Sequence, residues 1–394
     1  MTVTVPLARA ALADDAAWED ALDRTLTALE SPAPDALILF ASYHHAPSFP
    51  ELLHAARQRT GARCLIGCSG VGIIGTGREL ERQPALALLA LSLPGANLAT
   101  ARFTHDMLAT APDGTGWAGW TGVAPADVKG WLIFADPLRT DGDALLTALS
   151  SAYPHAVLSG GFASPGLDDR RVALFLDGES YPDGAVGLAI GGDYELLPMV
   201  SQGCDPIGET WTITGAQAQW IETISNRPAL QVLADTLNGL PEEIRTRAQR
   251  NLLVGLAADE YRSEFLRGDF LVRNLIGVDQ SSGAIAVGGM PRVGQTIQFQ
   301  MRDAATADLD LSLHLDETRQ KLTRRTPVAG ILCSCNGRGE GLFGQPHHDA
   351  AAIGRKLGTF PLAGLLCAGE IGQVAGRCAV HGFTASLALI VPSA

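Results

Sequence analysis

Residues 330–339 read Gly-Ile-Leu-Cys-Ser-Cys-Asn-Gly-Arg-Gly, an apolar run that ends in polar residues and glycines. The apolar run predicts a strand, and the glycines let the backbone turn tightly behind it. The side chains of Ser334, Cys335, Asn336 and Arg338 then enter one small space at the strand end. Loops on a rigid scaffold carry function more often than the scaffold does, so we interpret this strand end as a candidate site. A purely geometric Gly-Arg-Gly turn is the alternative.

The composition indicates a compact α/β protein with two domains. The chain has 394 residues, of which 46% are hydrophobic and 18% are charged. That length exceeds what one hydrophobic core usually holds, and no segment is of low complexity. The formal net charge of −13 argues against a nucleic-acid partner, because the phosphates would be repelled.

The cysteines and the apolar segments indicate the cellular compartment of the protein. Seven cysteines, an odd number, lie scattered without a disulfide rhythm, which indicates reduced thiols and a cytoplasmic protein. The N-terminal residues lack the charged-then-apolar order of a signal peptide. The longest apolar stretches, 85–93 and 385–391, are far shorter than a membrane span, so we expect a soluble protein with no membrane partner.

One order of elements occurs three times along the chain. A strand, a helix, a second strand, a glycine-rich turn and a closing strand are predicted over residues 37–93, 131–190 and 328–391. A weak internal repeat explains this order, although an α/β chain can also give such a rhythm by chance. An amphipathic helix over residues 10–29 is predicted ahead of the first copy.

The region between the second and third copies has a different pattern. It predicts a hairpin over 210–224, two helices that begin at prolines, and a meander of strands up to residue 301. Residues 309–325 fit both a strand and a helix, and we choose a helix because no turn signal interrupts them. The predicted fold class is α/β, a two-module mixed-sheet protein with weak internal strand-helix-strand repeats and helices packed on the sheets. The predicted modules are residues 1–205 and 206–394.

Nucleotide and metal motifs are missing or out of context. Residues 70–75 match G-x-G-x-x-G, but a strand is predicted where that fingerprint needs a helix. Cys333 and Cys335 could begin a metal site, completed by Cys367, Cys378 or histidines. The paired short spacings typical of zinc are absent, however, so neither a metal nor a cofactor is predicted.

Cys335 and Glu370 are the reactive candidates. Cys335 lies past the predicted strand beside Arg338 and glycine amides, which would lower its pKa and favour the thiolate. An inert thiol in a turn is the alternative. Glu370 lies between Gly369 and Gly372 at another strand end, where a charged residue serves as a ligand contact or a helix cap. An ion pair between Arg338 and Glu370 would be a structural explanation for both.

Three segments of the second half resemble the C-terminal FIST module (F-box and intracellular signal transduction). They are residues 333–339, residues 361–372 and the sequence His381-Gly382-Phe383-Thr384. Residues 226–230 and the Leu271-Val272-Arg273 segment also fit that module. In the first half, residues 67–72, Gly160-Gly161 and the Asp177-Gly178 turn resemble the N-terminal FIST module.

The resemblance implies a sensory protein of intracellular signal transduction that binds a small molecule such as an amino acid. It implies no established catalysis, so a binding protein is favoured over an enzyme. After residue 391 only Pro392-Ser393-Ala394 remain, so we expect a separate signalling protein as partner. The predicted ligand-binding residues are Cys335, Asn336, Gly337, Arg338, Gly339, Glu370, Arg273, His381 and Thr384.

The charges of these side chains suggest how each would bind the ligand. Arg338 and Arg273 would neutralise a carboxylate, and Glu370 would take an ammonium group. The alternative function is a thiol-dependent enzyme that uses Cys335 as nucleophile and His381 as base, acting on an acyl or aldehyde substrate. A purely structural adaptor is a third possibility.

Overall fold

The computed structural model of the chain describes residues 5–30, 33–166, 171–260, 262, 264–323 and 325–393. The chain forms two compact units. Unit 1 contains Met1–Val200, Ser312–Gln373 and Cys378–Ala394, and unit 2 contains Ser201–Leu311 and Val374–Arg377. The C-terminal strands therefore belong to the same unit as the N-terminal half. The predicted boundary at residues 205 and 206 concerns sequence modules, and it stays a prediction.

Both halves of the chain contain strands and helices, as the predicted α/β class requires. The first half contains β1 (Leu7–Ala13), α1 (Trp18–Leu29), β2 (Ala36–Ser42), α2 (Phe49–Thr60), β3 (Cys64–Gly70), β4 (Gly72–Gly75), β5 (Arg78–Glu81), β6 (Leu86–Ser92), β7 (Ala96–Phe103), α3 (His105–Thr110), α4 (Trp117–Thr121), β8 (Gly130–Ala135), α5 (Gly142–Ala152), β9 (Val157–Phe162), β10 (Leu174–Leu176), β11 (Glu179–Tyr181), β12 (Ala185–Gly192) and β13 (Tyr194–Ser201).

The second half begins with an antiparallel region and ends with the third copy of the repeat. Its elements are β14 (Asp205–Gln217), β15 (Trp220–Ile224), β16 (Arg227–Pro228), α6 (Ala229–Asn238), α7 (Glu242–Arg250), β17 (Leu252–Ala257), β18 (Phe270–Asp279), β19 (Ala284–Val287), β20 (Thr296–Met301), α8 (Ala304–Leu322), β21 (Ala329–Cys335), α9 (Gly339–Phe343), α10 (His348–Leu357), β22 (Leu362–Cys367), β23 (Gly369–Val374), β24 (Arg377–His381) and β25 (Ala385–Pro392).

The prediction of a single first helix is wrong in its first half. Leu7–Ala13 is a strand that pairs with β6 along its whole length, and the helix begins only at Trp18. Alanine-rich segments fit either state, and pairing with a buried neighbour outweighs local helix propensity. Residues 72–75 form a strand rather than a helix, which agrees with the rejection of a dinucleotide fingerprint.

Unit 1 consists of three sheets built on one plan, which confirms the threefold repeat. Each sheet has a central parallel pair, β2 with β3, β8 with β9, and β21 with β22. An antiparallel return strand lies beside the first strand of each pair, namely β6, β12 and β25. A helical crossover joins the two parallel strands in every copy: α2 in the first, α5 in the second, and α9 with α10 in the third.

The three copies also exchange hairpins in a cycle. Strand β4 of the first copy pairs with β22 of the third, β10 of the second pairs with β3 of the first, and β23 of the third pairs with β9 of the second. Each copy therefore completes its neighbour's sheet. The order of the strands predicts no such exchange, because the paired segments lie far apart in the sequence.

A glycine at the same position of each copy allows the parallel strands to approach. Gly67, Gly160 and Gly364 lie on the second strand, where an added Cβ would overlap the carbonyl oxygens of Leu39, Ile133 and Leu332 respectively. In each copy the carbonyl belongs to the residue that is the register partner of the glycine on the first parallel strand. The close approach of the backbones thus requires glycine at this position.

We expect Gly364→Ala to destabilise the protein by about 2–3 kcal/mol, because the new methyl group displaces a strand in a packed sheet. Gly354→Ala is the matched control, since Gly354 lies inside α10 with no atom within 4 Å of an added Cβ. That control is expected to stabilise the protein by about 0.5–1 kcal/mol. Urea unfolding of both variants measures the difference, and equal stabilities would contradict the predicted overlap.

Unit 2 is an antiparallel sheet that closes on itself through pairing of β14 with β15. The predicted hairpin, meander and two proline-initiated helices are confirmed. Its core contains Val254, Phe299 and Ile297, with Val232 from α6 packed against them. The predicted helix after residue 309 is α8.

Candidate functional site

The strand end singled out by the sequence is the C-terminus of β21. The amide of Cys335 donates to the carbonyl of Thr384 at 2.9 Å, and the amide of Asn336 donates to the carbonyl of Cys367 at 2.9 Å. These bonds join the ends of β21, β22 and β25. Asn336 and Gly337 are exposed, whereas Cys335 is 7% exposed and Arg338 is buried.

Arg338 lies in a buried charge network. Its Nε and Nη2 donate to the two carboxylate oxygens of Asp349 at 2.7 and 2.9 Å. The Ser334 hydroxyl donates to the same carboxylate, and a ring nitrogen of His348 lies 2.9 Å from it. Burial opposes ionisation of Asp349, but the Arg338 charge and these hydrogen bonds outweigh it and hold the pKa of Asp349 well below its usual value. Arg338 therefore pairs with Asp349, and the ion pair suggested for Arg338 and Glu370 stays a prediction.

Glu370 is a fully buried carboxyl group between two thiols. The Cys367 thiol donates to Oε1 at 3.2 Å, and the Thr384 amide donates to Oε2 at 3.0 Å. The Cys335 thiol, which donates to Oδ1 of Asn336 at 3.9 Å, lies close enough to the carboxyl group to favour its ionised form. Burial raises the pKa of Glu370 to about 8, although these bonds and the Arg338 charge favour the ionised form. Burial likewise raises the pKa of the Cys367 thiol far above its usual value.

A cavity of about 220 Å³ opens beside Asn336. Its other lining residues come from the ends of β2, β3, β5, β9 and β22: Tyr43, His44, Gly70, Val71, Glu81, Arg82, Gly166 and Leu366. Glu81 and Arg82 bring opposite charges to the wall. The Glu81 carboxylate accepts the amide of Glu340 at 2.8 Å, which orients it at this position. The arrangement offers one cation, one anion, an amide and two aromatic rings to a small polar molecule.

The structure brings several predicted residues together. Cys335, Asn336, Arg338, Glu370 and Thr384 all lie at this end of the β21 sheet. Gly337 lies in the turn before α9, and Gly339, the first residue of α9, has a φ of 59° that favours glycine. His381 is buried, with Nε2 bonded to the carbonyl of Gly372 at 3.1 Å. Arg273 lies on β18 of unit 2, and its ligand role stays a prediction.

Sequence reasoning missed most of the cavity lining. Tyr43 and His44 belong to no motif that would single them out, and the hairpin that carries Glu81 and Arg82 pairs with a strand almost 300 residues away. Asp349 was missed because an acidic residue near a helix start is common. No sequence signal marks Arg82, because its φ of 55° at the hairpin end is visible only in the structure.

Two further findings concern metals and membranes. Among the described residues, no group of three or more histidine, cysteine, aspartate or glutamate side chains is arranged to hold a metal ion. Within the same residues, none of the helices combines the length and apolarity needed to cross a membrane.

Comparisons with known proteins agree with the resemblance found in the sequence. The family model of the FIST N domain matches residues 35–227, and that of the FIST C domain matches residues 229–373. The chain belongs to the FIST family. FIST domains are generally sensory domains of signal transduction.

Relatives of similar length occur in mycobacteria. An uncharacterized protein of Mycobacterium tuberculosis is 38% identical over 364 residues, which cover 92% of this chain and 93% of the relative. An uncharacterized protein of Mycobacterium bovis is 36% identical and covers 92% of each chain. Among solved structures, a cyanuric acid hydrolase from A. caulinodans aligns with 98% of this chain and 99% of its own, at 11% identity and a TM-score of 0.34. A match at that score carries no inference about activity.

Proposed function

We propose that this protein is a cytoplasmic sensor that binds a small zwitterionic molecule, such as an amino acid, in the cavity beside Asn336. A separate signalling protein would read the ligand-bound state. The single observation that carries the proposal is the pair of opposite charges, Glu81 and Arg82, on the wall of a cavity of about 220 Å³. Pockets for drug-sized ligands are typically about 300–1,000 Å³, so a smaller metabolite fits this one.

Each group of an amino acid has a matching partner in the cavity. Arg82 supplies a planar donor fork for a carboxylate, and Glu81 accepts from an ammonium group. Asn336 can donate and accept, which suits either end of the ligand. Glu370, predicted from the sequence to take the ammonium group, is fully buried and is not among the residues that line the cavity, so Glu81 supports that role better.

A thermal-shift screen of amino acids and short carboxylates tests the proposal. We expect at least one amino acid to raise the unfolding temperature, because a ligand at 100 times its Kd stabilises the native state by about 2.7 kcal/mol. Arg82→Ala should weaken binding by tenfold or more, which corresponds to about 1.4 kcal/mol. Arg78→Ala is the matched control, since Arg78 is exposed at the start of the same strand and does not line the cavity.

Two results would contradict the proposal. One is the absence of any shift across the screen with the unchanged protein. The other is a rise in unfolding temperature in Arg82→Ala that needs no more ligand than the rise in Arg78→Ala.

A thiol-dependent enzyme is the second candidate, favoured by the closeness of the Cys335 thiol to the Glu370 carboxyl group. In this version Glu370, rather than His381, is the base in contact with the nucleophile. A catalytic thiolate reacts with iodoacetamide well below the unperturbed pKa of about 8.5. Labelling of Cys335 that becomes measurable only above that pH would exclude this candidate and leave the sensor.

A further inference from the structure

Two cysteines lie against the buried carboxyl group of Glu370, and a third lies beside them. Cys335 and Cys367 are register partners on the neighbouring parallel strands β21 and β22, and both thiols contact Glu370. Cys333 lies two residues before Cys335 and contacts the Cys367 thiol. Side chains on alternate residues of a strand share one face, so the three thiols lie on one side of the sheet.

Comparison of the three copies shows that this cluster is specific to the third. In each sheet, the residue that follows the close-approach glycine pairs with one residue of the exchanged hairpin. That hairpin residue is Ile73 in one sheet, Leu174 in another and Glu370 in the remaining one. All three are fully buried, so a carboxyl group stands where the other copies bury an apolar side chain. An ionisable group at such a position costs folding free energy, which is the usual mark of a functional role.

The backbone geometry permits a bond between two of the thiols. Register partners on neighbouring strands have Cα atoms about 5 Å apart, within the range of about 4.4–6.8 Å found across disulfides. Cys335 and Cys367 meet this condition, and their common contact with one carboxyl group places both sulfur atoms close to it. The register partner of Cys333 is Leu365, so Cys333 does not have the same relation to Cys367.

We propose that Cys335 and Cys367 are a redox-sensitive pair that a peroxide converts to a reversible disulfide, with Glu370 as the proton acceptor. The proposal does not depend on the ligand of the cavity. Cys335 reacts first, because it is 7% exposed and precedes a cavity-lining residue, whereas Cys367 is fully buried.

The reaction has two balanced steps. The Cys335 thiol gives its proton to Glu370, and its sulfur attacks one oxygen of hydrogen peroxide. The O–O bond breaks, which yields a sulfenic acid on Cys335 and a hydroxide that leaves as water with that proton. The Cys367 sulfur then attacks the Cys335 sulfur, the S–O bond breaks, and the hydroxyl group leaves as a second water with the Cys367 proton. Two thiols and one peroxide thus become one disulfide and two waters.

Peptide mapping without reduction tests the proposal on the full chain treated with hydrogen peroxide at pH 8. We expect a cross-linked peptide pair that joins Cys335 to Cys367, lighter than the two peptides by two hydrogens and restored by dithiothreitol. Cys367→Ser should lose the cross-link and leave a sulfenic acid on Cys335 that dimedone traps. Cys64→Ser is the control, because this buried cysteine lies at the start of β3, away from the cluster, and should keep the cross-link.

The role of Glu370 has its own readout. Glu370→Gln should slow disulfide formation at least tenfold, whereas Glu340→Gln, which changes an exposed carboxylate of α9, should leave the rate unchanged. Three results would overturn the proposal: no cross-link in the unchanged protein, a cross-link through Cys333, or one between chains. An unchanged rate in Glu370→Gln would remove the carboxyl group from the mechanism.

Discussion

Arg338→Met is expected to lower the free energy of unfolding by about 3–5 kcal/mol, because it leaves the Asp349 carboxylate buried without its cation. The guanidinium is fully enclosed and makes two hydrogen bonds to that carboxylate. Methionine keeps much of the side-chain volume, so the effect reports the lost charge rather than a cavity. Urea unfolding at neutral pH measures it.

Two companion variants separate a charge effect from general damage. Arg59→Met breaks the exposed pair with Asp23 and should cost less than about 1 kcal/mol. The double variant Arg338→Met with Asp349→Leu should recover a large part of the loss, because an apolar pair replaces the stranded charge. If the free energy of unfolding of Arg338→Met lies within 1 kcal/mol of that of the unchanged protein, Arg338 and Asp349 are not the buried pair described above.

This expectation differs from the one that the sequence suggests for Arg338. An arginine between two glycines at a strand end is typical of a ligand contact, and its loss would then leave the apo fold intact. The structure encloses Arg338 because α10 brings Asp349 beneath the strand end, a contact between residues 11 positions apart with a turn and a short helix between them. Stability is therefore the first property that the substitution should change, and a ligand contact of Arg338 stays a prediction.

Local patterns were sufficient for the repeat but not for the site. Each copy contains its own apolar strands and turn glycines, so the order of strand, helix and strand is visible in the sequence. The cavity joins strand ends of different copies through exchanged hairpins, and pairing of this kind leaves no local signal. Asn336 and Glu370 could be singled out because glycines flank a polar residue, whereas Glu81 and Arg82 follow an ordinary short strand.

The three copies explain how one chain supports both a stable core and a polar site. Equivalent positions are apolar or small where only packing is required, as at Ile73 and Leu174. The third copy departs from that pattern at Glu370, Cys335 and Cys367, all beside the strand end that borders the cavity. A repeated scaffold tolerates such a departure in one copy because the other two keep the sheets packed.

The free energy of unfolding is expected to fall as pH rises from about 6 to 8.5, and Glu79→Gln should reduce that slope. Burial, followed by the charge of Asp349, raises the pKa of Glu79 to about 8, while an unfolded glutamate titrates near 4.3. Between these values the native state binds one more proton than the unfolded state, so each pH unit removes up to about 1.4 kcal/mol of stability for each such group.

Glu370, whose pKa is also raised to about 8, adds a second contribution of the same sign. The lowered pKa of Asp349 acts in the opposite sense only at acidic pH, outside this window. The side chain of Glu79 accepts a hydrogen bond from the amide of Ala350 at 2.8 Å. Glutamine keeps an oxygen for that bond, so Glu79→Gln should fold. Its free energy of unfolding should fall by roughly 1 kcal/mol less per pH unit than that of the unchanged protein. Glu51→Gln, an exposed change on α2, should leave the slope as it is. Urea unfolding at four pH values measures the three slopes, and equal slopes would show that Glu79 is ionised in the native state at neutral pH.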